Sequence, residues 1–507
     1  MDASKIFSRM EPCNVSGFTS VLLLADILPL ILVPLDRRSR VGSLRFSSSH
    51  HRFHRYRCAA DDHIRSEETM KVVLISFSSR LPLQVMAANG LDTALYRACA
   101  QAITNRAGRN DLIAKLAPDV PPVADLFSND YLSLATNAEL RADFLKKLTE
   151  QDAIMGSTGS RLLAGNTSVH LALEEQLAAF FRAPTALLFN SGFVANSSVM
   201  STLPLAGDVI VFDELVHASC RDGMATSRAA AIPGALVQFK HNDVDALRQV
   251  LMQVMEKNPR VAEGKATVFV VVEALYSMDG DTAPLVEMVN VVKDIIPAEA
   301  RHFIVDEAHS TGIYGSSGRG LVAQFGLEAE IHTRVHTFGK AMASAGAIVL
   351  TAPIVRAYLI NYARGFAYTT SLPIHNVLAL RCAFDMLERE GDELIAKLHH
   401  HCEYFSTALE KRLKPIPPQI MHLVPPGPKS LISPIFPIIV PKESIPLANF
   451  LTSKGYNAKA VPYPIVPRGL ERIRVCLHSG NTEAELDKFL DCVVEWAAIE
   501  EEKLVCA

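Results

Sequence analysis

The sequence predicts an α/β protein built on a mostly parallel sheet flanked by helices, followed by a smaller α/β domain at the carboxyl end. Between residues 186 and 312, apolar segments of strand length alternate with helical patterns such as DVDALRQVLMQVMEK at 243–257. The strand segments are apolar at almost every position, which is typical of strands buried on both faces of a sheet. At 507 residues, the chain has room for two or three domains.

Residues 1–89 differ from the rest of the chain and are expected to be an extension outside the folded domains. Residues 18–35 are almost continuously apolar but contain Asp26, whose insertion into a bilayer costs about 2.5–3.5 kcal/mol. Residues 37–58 are rich in Arg and Ser and contain no acidic residue, as in transit peptides. We expect a cytoplasmic protein, with a mitochondrial location or membrane anchoring through residues 18–35 as the alternatives.

Residues 90–109 are predicted to form a lead-in helix because their apolar residues have helical spacing. These apolar residues are Leu91, Leu95, Ala98 and Ile103. FSNDYLSLATN at 127–137 is predicted to form a short strand and a turn, with Asn129 and Asp130 as turn formers. The predicted units after the extension are a lead-in segment 90–130, a large domain 131–385 and a small domain 386–507.

The glycine-rich segment 156–167, GSTGSRLLAGNT, is predicted to be a loop that precedes an amphipathic helix at 168–181. The apolar side of that helix is expected to contain Leu171, Leu173, Leu177 and Phe180 or Phe181. Such a turn can bind an anion, although many bind nothing, so a flexible loop remains an alternative.

A sharper signal follows the apolar strand at 186–189, which ends at Asn190-Ser191-Gly192. A helix is predicted to begin there. The backbone N–H groups of Gly192 and Phe193 would then have no partner within the helix and would face a negative ligand, for which phosphate is the natural candidate.

Further strands are predicted at 208–214, 235–241, 266–277 and 301–312. In a parallel sheet of this kind, ligands bind at the carboxyl ends of the strands. The polar side chains expected at that edge are His217, Ser277, Asp306, His309, Thr337 and Lys340. Taken singly, each has a structural explanation, such as a cap or a buried histidine; together they indicate a site.

Lys340 lies in HTFGKAMASAGAIVL, residues 336–350, among small side chains that allow a flat ligand to approach the backbone. A lysine that is packed there loses hydration, which lowers its pKa and makes the amine a better nucleophile. A neutral amine that faces an aldehyde forms a Schiff base. On this segment alone, a surface lysine in a loop remains an equal alternative.

The other residues at this edge suit pyridoxal 5'-phosphate (PLP). Asp306 can pair with a protonated ring nitrogen, His309 can bond the phenolic oxygen and the His217 ring can stack on the cofactor. The phosphate can be held by Ser277, Thr337 and the Gly192 and Phe193 amides.

Composition excludes other classes of function. With 50 basic and 54 acidic residues and few aromatic residues, the chain has no basic field for a nucleic acid. The nine cysteines form no CxxC pair, so no metal site and no disulfide framework are predicted, and a reducing compartment is favoured.

Ten motifs in order between about residues 127 and 477 resemble the α-oxoamine synthases, PLP-dependent enzymes related to class II aminotransferases. The motifs are ALEEQLAAFF, ALLFNSGFVAN, DELVHAS, FKHNDVDAL, EALYSMDGD, PLVE, VDEAHSTGIYGSSGRG, TFGKA, YTTSLP and RIRVCL. The resemblance implies a fold-type I transferase that forms a homodimer with active sites at the subunit interface.

The resemblance also implies roles for individual residues. The catalytic residues are Lys340, which forms the Schiff base and transfers protons, His217 and Asp306. Thr370 would reach the phosphate in the neighbouring subunit. Arg474, with Asn129 beside the substrate, would bind the amino-acid carboxylate.

The reaction implied is a decarboxylative condensation of an amino acid, L-alanine by preference, with an acyl thioester such as pimeloyl-CoA, in biotin synthesis. Three alternatives remain: the same chemistry on a polyketide or fatty acyl donor held by a carrier, an aminotransferase, and a non-catalytic subunit of a serine palmitoyltransferase-like complex. The presence of Lys340 disfavours the last of these.

Departures from the family pattern concern the acyl donor. VPYPIVP at 461–467 has Pro462 and Ile465 where the family has an arginine and a substrate-contacting threonine. Bulky Arg161, Leu162 and Leu163 are expected near the acyl entrance, and the family's amino-terminal substrate arginine could be Arg97, Arg106 or Arg109. In the proline-rich stretch 415–446, we expect loops around one strand, PIFPIIV.

Overall fold

The computed structural model describes residues 93–108, 124–424, 430–442 and 444–505. Within these residues the helices are α1 Ala94–Gly108, α2 Ala138–Thr149, α3 Ser168–Phe180, α4 Gly192–Thr202, α5 Ala218–Ala225, α6 Val244–Lys257, α7 Pro259–Ala262, α8 Leu285–Ile295, α9 Leu321–Gln324, α10 Pro353–Tyr362, α11 Arg364–Ala367, α12 Ile374–Leu413, α13 Ile445–Ser453 and α14 Glu483–Val505. The strands are β1 Ala124–Asp125, β2 Thr185–Phe189, β3 Val209–Asp213, β4 Leu236–Phe239, β5 Val268–Glu273, β6 Arg301–Asp306, β7 Thr333–Thr337, β8 Ala347–Thr351, β9 His422–Leu423, β10 Ile435–Ile439, β11 Tyr456–Asn457, β12 Lys459–Val461 and β13 Arg472–Cys476.

The large domain is organised around a sheet that, within the described residues, has seven strands in the order β2-β8-β7-β6-β5-β3-β4. Strand β8 is antiparallel to both of its neighbours, and the other pairings are parallel. This confirms the predicted α/β fold with a mostly parallel sheet. Asp306 is in register with Glu273 of β5 and Val335 of β7, so neighbouring strands end at one edge.

Both faces of the sheet are covered, which explains why its strands are apolar throughout. Along β5, Val268, Val270 and Val272 belong to one apolar cluster with helices α6 and α8, while Phe269 and Val271 belong to a second cluster with helices α4 and α5. Successive side chains of a strand point to opposite faces, so a strand buried on both faces needs an apolar residue at every position.

The small domain contains an antiparallel sheet in the order β12-β13-β10-β9 within the described residues. The expected strand PIFPIIV is present as β10, and β9 adds a second short strand to the proline-rich stretch. Pro437 is tolerated in β10 because β9 pairs with Ile438 and Ile439, beyond the proline. The boundary expected at 385/386 falls inside α12, one continuous helix of 40 residues that the two domains share.

Several local expectations differ from the structure. The strand expected within 127–137 is instead β1, Ala124–Asp125, which pairs with β11. The residues after it form turns, because the Asp125 carboxylate accepts from the amides of Phe127 and Ser128, and the Asp130 carboxylate accepts from the amide of Leu134. Asp130 is therefore the turn former that the sequence indicates.

The apolar side expected for the helix at 168–181 is wrong at one position. Leu171 of α3 is 41 % exposed, whereas His170 and Glu174 take buried positions beside Leu173 and Leu177. Glu174 can be buried because Arg161 and Arg356 pair with it, as a buried charge requires.

The lead-in helix is present as α1, but its apolar residues Leu95 and Ile103 are exposed in the single chain. Leu91, Arg109 and residues 1–89 lie outside the described residues, so the expectations for the extension remain predictions. In the part of the chain that the structure describes, no helix is both long and apolar enough to cross a bilayer.

Candidate active site

The carboxyl edge of the sheet brings together the residues that the sequence singles out. Asp306 and Thr337 are the last residues of β6 and β7, and Lys340 follows β7 by three residues. Lys340 Nζ donates a hydrogen bond to Thr337 Oγ1 at 3.2 Å. Burial holds the pKa of Lys340 below its ordinary value, although the charges of Asp306 and Glu273 oppose this. The buried amine that the sequence predicts is therefore present, and its reaction with an aldehyde stays a prediction.

Helix α4 begins beside Thr337, the residue that is hydrogen-bonded to Lys340. Ser191 caps the helix by accepting a hydrogen bond from the amide of Val194 at 3.2 Å. The amides of Gly192 and Phe193 have no acceptor among the described residues. A Cβ atom at residue 192 would overlap the methyl group of Thr337, so glycine lets the helix start directly against the end of β7. The predicted helix start is confirmed.

A buried hydrogen-bond chain joins Asp306 to His217. Asn196 Nδ2 donates to Asp306 Oδ2 at 2.6 Å and to Ser219 Oγ at 3.1 Å, and Ser219 Oγ lies 2.7 Å from His217 Nδ1. The amide of Ala308 donates to the other carboxylate oxygen of Asp306 at 2.8 Å. The carboxylate can only accept, so it determines the direction of the whole chain.

The direction of this chain determines which ring nitrogen of His217 carries the proton. Because Asn196 donates to Ser219 Oγ, the hydroxyl hydrogen is free to be donated to His217 Nδ1, and the Ser219 amide donates to the same nitrogen at 3.2 Å. Nδ1 is thus an acceptor, and the proton of the neutral ring lies on Nε2. Burial, followed by the charge of Lys340, lowers the pKa of His217 against the opposing charges of Asp306 and Asp222.

A second chain leads from His309 to Arg474. The hydroxyl group of Tyr131 lies 2.8 Å from His309 Nδ1 and 3.1 Å from Asn129 Oδ1, which also accepts from Arg474 Nη2 at 3.0 Å. Burial lowers the pKa of His309 well below its ordinary value, with the charges of Lys340 and Arg474 acting in the same direction. Asn129, expected beside the substrate, therefore holds the guanidinium of Arg474.

The remaining residues predicted for the site are Ser277 and Thr370. The carbonyl of Ser277 accepts from Arg474 Nε at 2.6 Å, which places Ser277 beside the arginine. Thr370 is exposed, and its carbonyl accepts a hydrogen bond from the side chain of Asn190. The roles of Ser277 and Thr370 towards the phosphate remain predictions.

The glycine-rich segment 156–167 is packed against the segment that contains Thr370. Ser371 Oγ lies within hydrogen-bond distance of the carbonyls of Gly159 and Gly165, at 2.9 and 2.7 Å. Arg161 is buried in its pair with Glu174, and its position relative to an acyl entrance stays a prediction. Leu162 and Leu163 are exposed, as an entrance would require.

Sequence reasoning missed Asn196, Ser219 and Tyr131. Asn196 lies one turn into α4 and is the last residue of the motif ALLFNSGFVAN, and Ser219 is the last residue of the motif DELVHAS, two residues after His217. An amide inside a helix that follows a phosphate-binding turn is the signal that could have found Asn196. Nothing in the sequence distinguishes Tyr131 from a core tyrosine.

These residues fit PLP by the chemistry of their donors and acceptors. The site contains a buried amine with a lowered pKa, a carboxylate that accepts from Asn196 and Ala308, and a helix start with two amides that lack an acceptor among the described residues. These groups match an aldehyde, a protonated ring nitrogen and a phosphate, respectively.

Comparison with known proteins gives the same result. Residues 121–493 match the model of the family "aminotransferase class I and II". The 8-amino-7-oxononanoate synthase of Emericella nidulans is 43% identical over 379 residues, which cover 73% of this chain and 89% of that protein. The aminoacyl transferase sphA of Byssochlamys spectabilis is 39% identical over 389 residues, covering 73% of this chain and 80% of that protein.

Among solved structures, a serine palmitoyltransferase of S. paucimobilis with PLP and myriocin bound has a TM-score of 0.67 at 24% identity, covering 80% of this chain and 100% of that chain. This likeness shows the fold, a fold-type I transferase. Together with the family match and the relatives above, it shows that the chain belongs to the aminotransferase class I and II family and, within it, to the PLP-dependent α-oxoamine synthases.

Proposed function

We propose that this protein catalyses the decarboxylative condensation of L-alanine with pimeloyl-CoA, or a closely similar acyl thioester, in biotin synthesis. The observation that carries the proposal is the likeness to the Emericella nidulans synthase along most of both chains. The site supports it, because the buried Arg474 lies beside the cluster that contains Lys340 and His309. An amino acid that reacts at Lys340 therefore has a cation for its carboxylate.

PLP, when bound, supplies an electron sink that allows the α-carbon of an amino acid to lose a proton or a carboxylate. In this chain Asp306 would hold the ring nitrogen, His309 the phenolic oxygen and the amides of Gly192 and Phe193 the phosphate. Asn196 and Ala308 hold the Asp306 carboxylate from both oxygens, so its orientation is determined before the cofactor arrives.

Arg474 would bind and orient the amino acid. Its Nε and Nη2 atoms donate to Ser277 and Asn129, which determines the plane of the guanidinium. A planar donor that is held in this way can bind a carboxylate through two hydrogen bonds and limit the rotation of the substrate.

Lys340 would transfer protons at the substrate α-carbon. Its burial favours the neutral amine, which is the form that can accept a proton. In the overall reaction, a carbon–carbon bond forms between the alanine α-carbon and the thioester carbonyl, the thiol leaves, and the alanine carboxylate leaves as carbon dioxide. The product is an α-amino ketone.

The test is the release of free thiol and of carbon dioxide when the purified protein with added PLP receives L-alanine and pimeloyl-CoA. We expect both products in equal amounts and only when alanine is present. If neither appears while the absorbance of the bound cofactor still responds to alanine, the acyl donor is wrong and the chemistry stands.

A second candidate is the same condensation with a different acyl donor, such as a polyketide or fatty acyl chain on a carrier. Two observations favour it. Ile465, which replaces the family threonine, is 52 % exposed and thus available to an acyl chain. The aminoacyl transferase sphA is also a relative. Thiol release from a series of acyl-CoA and acyl-carrier donors of increasing length would distinguish the two candidates.

We also propose that the chain forms a homodimer and is located in the cytoplasm. Thr370 is exposed in the single chain. In the dimer it would face the neighbouring subunit and become buried. Light scattering at assay concentration measures the mass, and a monomer that is fully active would overturn the proposal. Imaging of a carboxyl-terminal fluorescent fusion would test the location against the mitochondrial and membrane-anchored alternatives.

A further inference from the structure

His241 lies between two carboxylates at the carboxyl edge of the sheet. It follows β4, and its Nδ1 atom lies 2.9 Å from Oδ1 of Asp213, the last residue of β3. Its Nε2 atom lies 2.9 Å from Oδ2 of Asp281, in the segment that follows β5. The histidine therefore links the carboxyl ends of β3 and β4 to the segment that follows β5.

Both carboxylates also accept hydrogen bonds from other groups. The backbone amides of Leu215 and Asn242 donate to the two oxygens of Asp213, each at 2.8 Å, and Asn242 Nδ2 donates to Asp281 Oδ2 at 2.7 Å. These contacts suit carboxylates, which only accept, and a carboxylate at each ring nitrogen requires both nitrogens of His241 to donate. The geometry therefore favours an imidazolium.

The charges around the ring agree with this geometry. Burial by itself lowers the pKa of His241, but the hydrogen bonds and charges of Asp213 and Asp281 outweigh it and raise the pKa to about 10. Glu214 adds a third negative charge nearby, since its carboxylate accepts from the His241 amide at 3.0 Å. The ring also packs nearly perpendicular to that of Tyr276, with ring centroids 4.4 Å apart.

Residues 276–282, which we call the bridge segment, lie between this histidine and the small domain. On its other side, Arg474 of β13 donates to the carbonyl of Ser277, and Arg472 of the same strand donates to the carbonyl of Met278 at 3.0 Å and to the carboxylate of Asp279 at 2.5 Å. The bridge segment is therefore held by a cation of the large domain and by two arginines of the small domain.

We propose that His241 is a positioning residue, whose imidazolium holds the bridge segment against the large domain and thereby determines where Arg474 presents its guanidinium. The importance for substrate binding rests on the proposed function, in which Arg474 receives the amino-acid carboxylate. The hydrogen bond from Arg474 Nε to the carbonyl of Ser277 transmits the position. A neutral side chain at 241 would leave Asp213 and Asp281 as repelling charges and release one end of the segment.

The test compares His241→Gln with His302→Gln. The control histidine is half-buried, as His241 is, and lies at the opposite edge of the same sheet, near the start of β6, where its Nε2 atom is 2.9 Å from Thr333 Oγ1. Burial and the neighbouring His332 lower the pKa of His302 to about 3, so it is a neutral imidazole. The control thus removes a half-buried ring without removing a charge.

Three measurements are made on the full-length holoenzyme. Ring-¹⁵N histidine NMR on the unmodified chain at pH 8 should show both nitrogens of His241 protonated and one nitrogen of His302 protonated. Hydrogen–deuterium exchange in residues 276–282 should become about tenfold faster in His241→Gln, as the loss of a charge-assisted hydrogen bond implies. The KM for the amino acid should rise about tenfold in the same variant while the KM for the thioester stays unchanged. His302→Gln should leave the exchange and both KM values unchanged.

A singly protonated His241 in the unmodified chain overturns the proposal without any variant. Unchanged exchange in residues 276–282 overturns the proposal that His241 holds the bridge segment. Faster exchange with an unchanged amino-acid KM overturns the link to Arg474. If His241→Gln does not fold, Asp281→Asn replaces it, and one ring nitrogen should then lose its hydrogen at a lower pH. The NMR and exchange results do not depend on turnover, so they stand even if the proposed substrates are wrong.

Discussion

The side-chain amide of Asn196 donates a hydrogen bond of 2.6 Å to the carboxylate of Asp306, and both residues are buried. The same nitrogen bonds Ser219, which in turn bonds His217. A single amide therefore couples the carboxylate expected at the ring nitrogen to the histidine expected to stack on the ring. The Asn196 Oδ1 atom has no hydrogen-bond partner among the described residues, so the donor side of the amide makes the contacts recorded there.

This arrangement predicts the effect of Asn196→Ala. The variant should lower kcat about tenfold and weaken PLP binding, because Asp306 loses one of the donors that orient it. Steady-state turnover and the visible absorbance of the bound cofactor are the measurements. Asn361→Ala is the control, since Asn361 is exposed on α10 and bonds the carbonyl of Ala357. Equal turnover of the two variants would contradict the orienting role.

Lys340→Ala should abolish turnover and leave the protein folded, because the amine is the group expected to form the Schiff base. Thr337 loses one hydrogen bond in this variant, which is a small structural change. Turnover is measured for this variant and for the exposed control Lys293→Ala, and the circular dichroism spectrum shows whether each variant is folded. Turnover near that of the unmodified protein would end the assignment of Lys340.

Arg474→Lys should raise the KM for the amino acid about 10- to 100-fold and leave the KM for the thioester unchanged. A lysine keeps the charge but cannot bond Ser277, Asn129 and a carboxylate with one planar group. The two KM values are measured separately, with Arg389→Lys, an exposed arginine of α12, as the control. An equal rise in both KM values would point to general damage instead.

Glu174→Gln should lower the free energy of unfolding by about 3 kcal/mol, because it leaves the buried Arg161 without a counter-charge. Urea unfolding is the measurement. The control is Glu139→Gln on α2, whose exposed pair with Arg389 contributes less than about 1 kcal/mol. Similar losses in both variants would show that the Arg161–Glu174 pair is no more important than a surface pair.

The charge on His241 predicts a pH dependence of stability. Its pKa is raised from 6.5 to about 10 on folding, so the folded chain holds the proton more tightly than the unfolded chain. The resulting stabilisation is fully present below pH 6.5 and is lost as the pH rises through about 10. Urea unfolding of the unmodified protein and of His241→Gln should therefore differ most at pH 6 and converge near pH 10. A difference that does not change with pH would contradict a raised pKa.

The residues that could be predicted are those whose environment is indicated by the sequence immediately around them. Lys340, Asp306 and Gly192 each lie at the end of a strand or the start of a helix, where local pattern and backbone chemistry indicate their environment. The strands themselves were predictable because burial on both faces requires apolar residues throughout.

Other features depend on contacts between distant segments. Leu171 has the spacing of a buried residue, yet Glu174 is buried instead, because Arg356 approaches it from α10. The strand expected after residue 127 gives way to turns that are stabilised by Asp125 and Asp130. Local hydrophobic spacing cannot represent a distant counter-ion or a competing side-chain acceptor.

The sequence by itself determined the fold class, the family resemblance and most of the residues expected to contact PLP, because these follow from periodicity and from short motifs. Only the tertiary structure decided how those residues are held. The Asn196 amide between Asp306 and Ser219, the Tyr131 hydroxyl between His309 and Asn129, and His241 between two carboxylates all join segments far apart in the chain. The physical reason is that hydrogen-bond direction and charge compensation depend on which groups meet in space, and only folding brings these groups together.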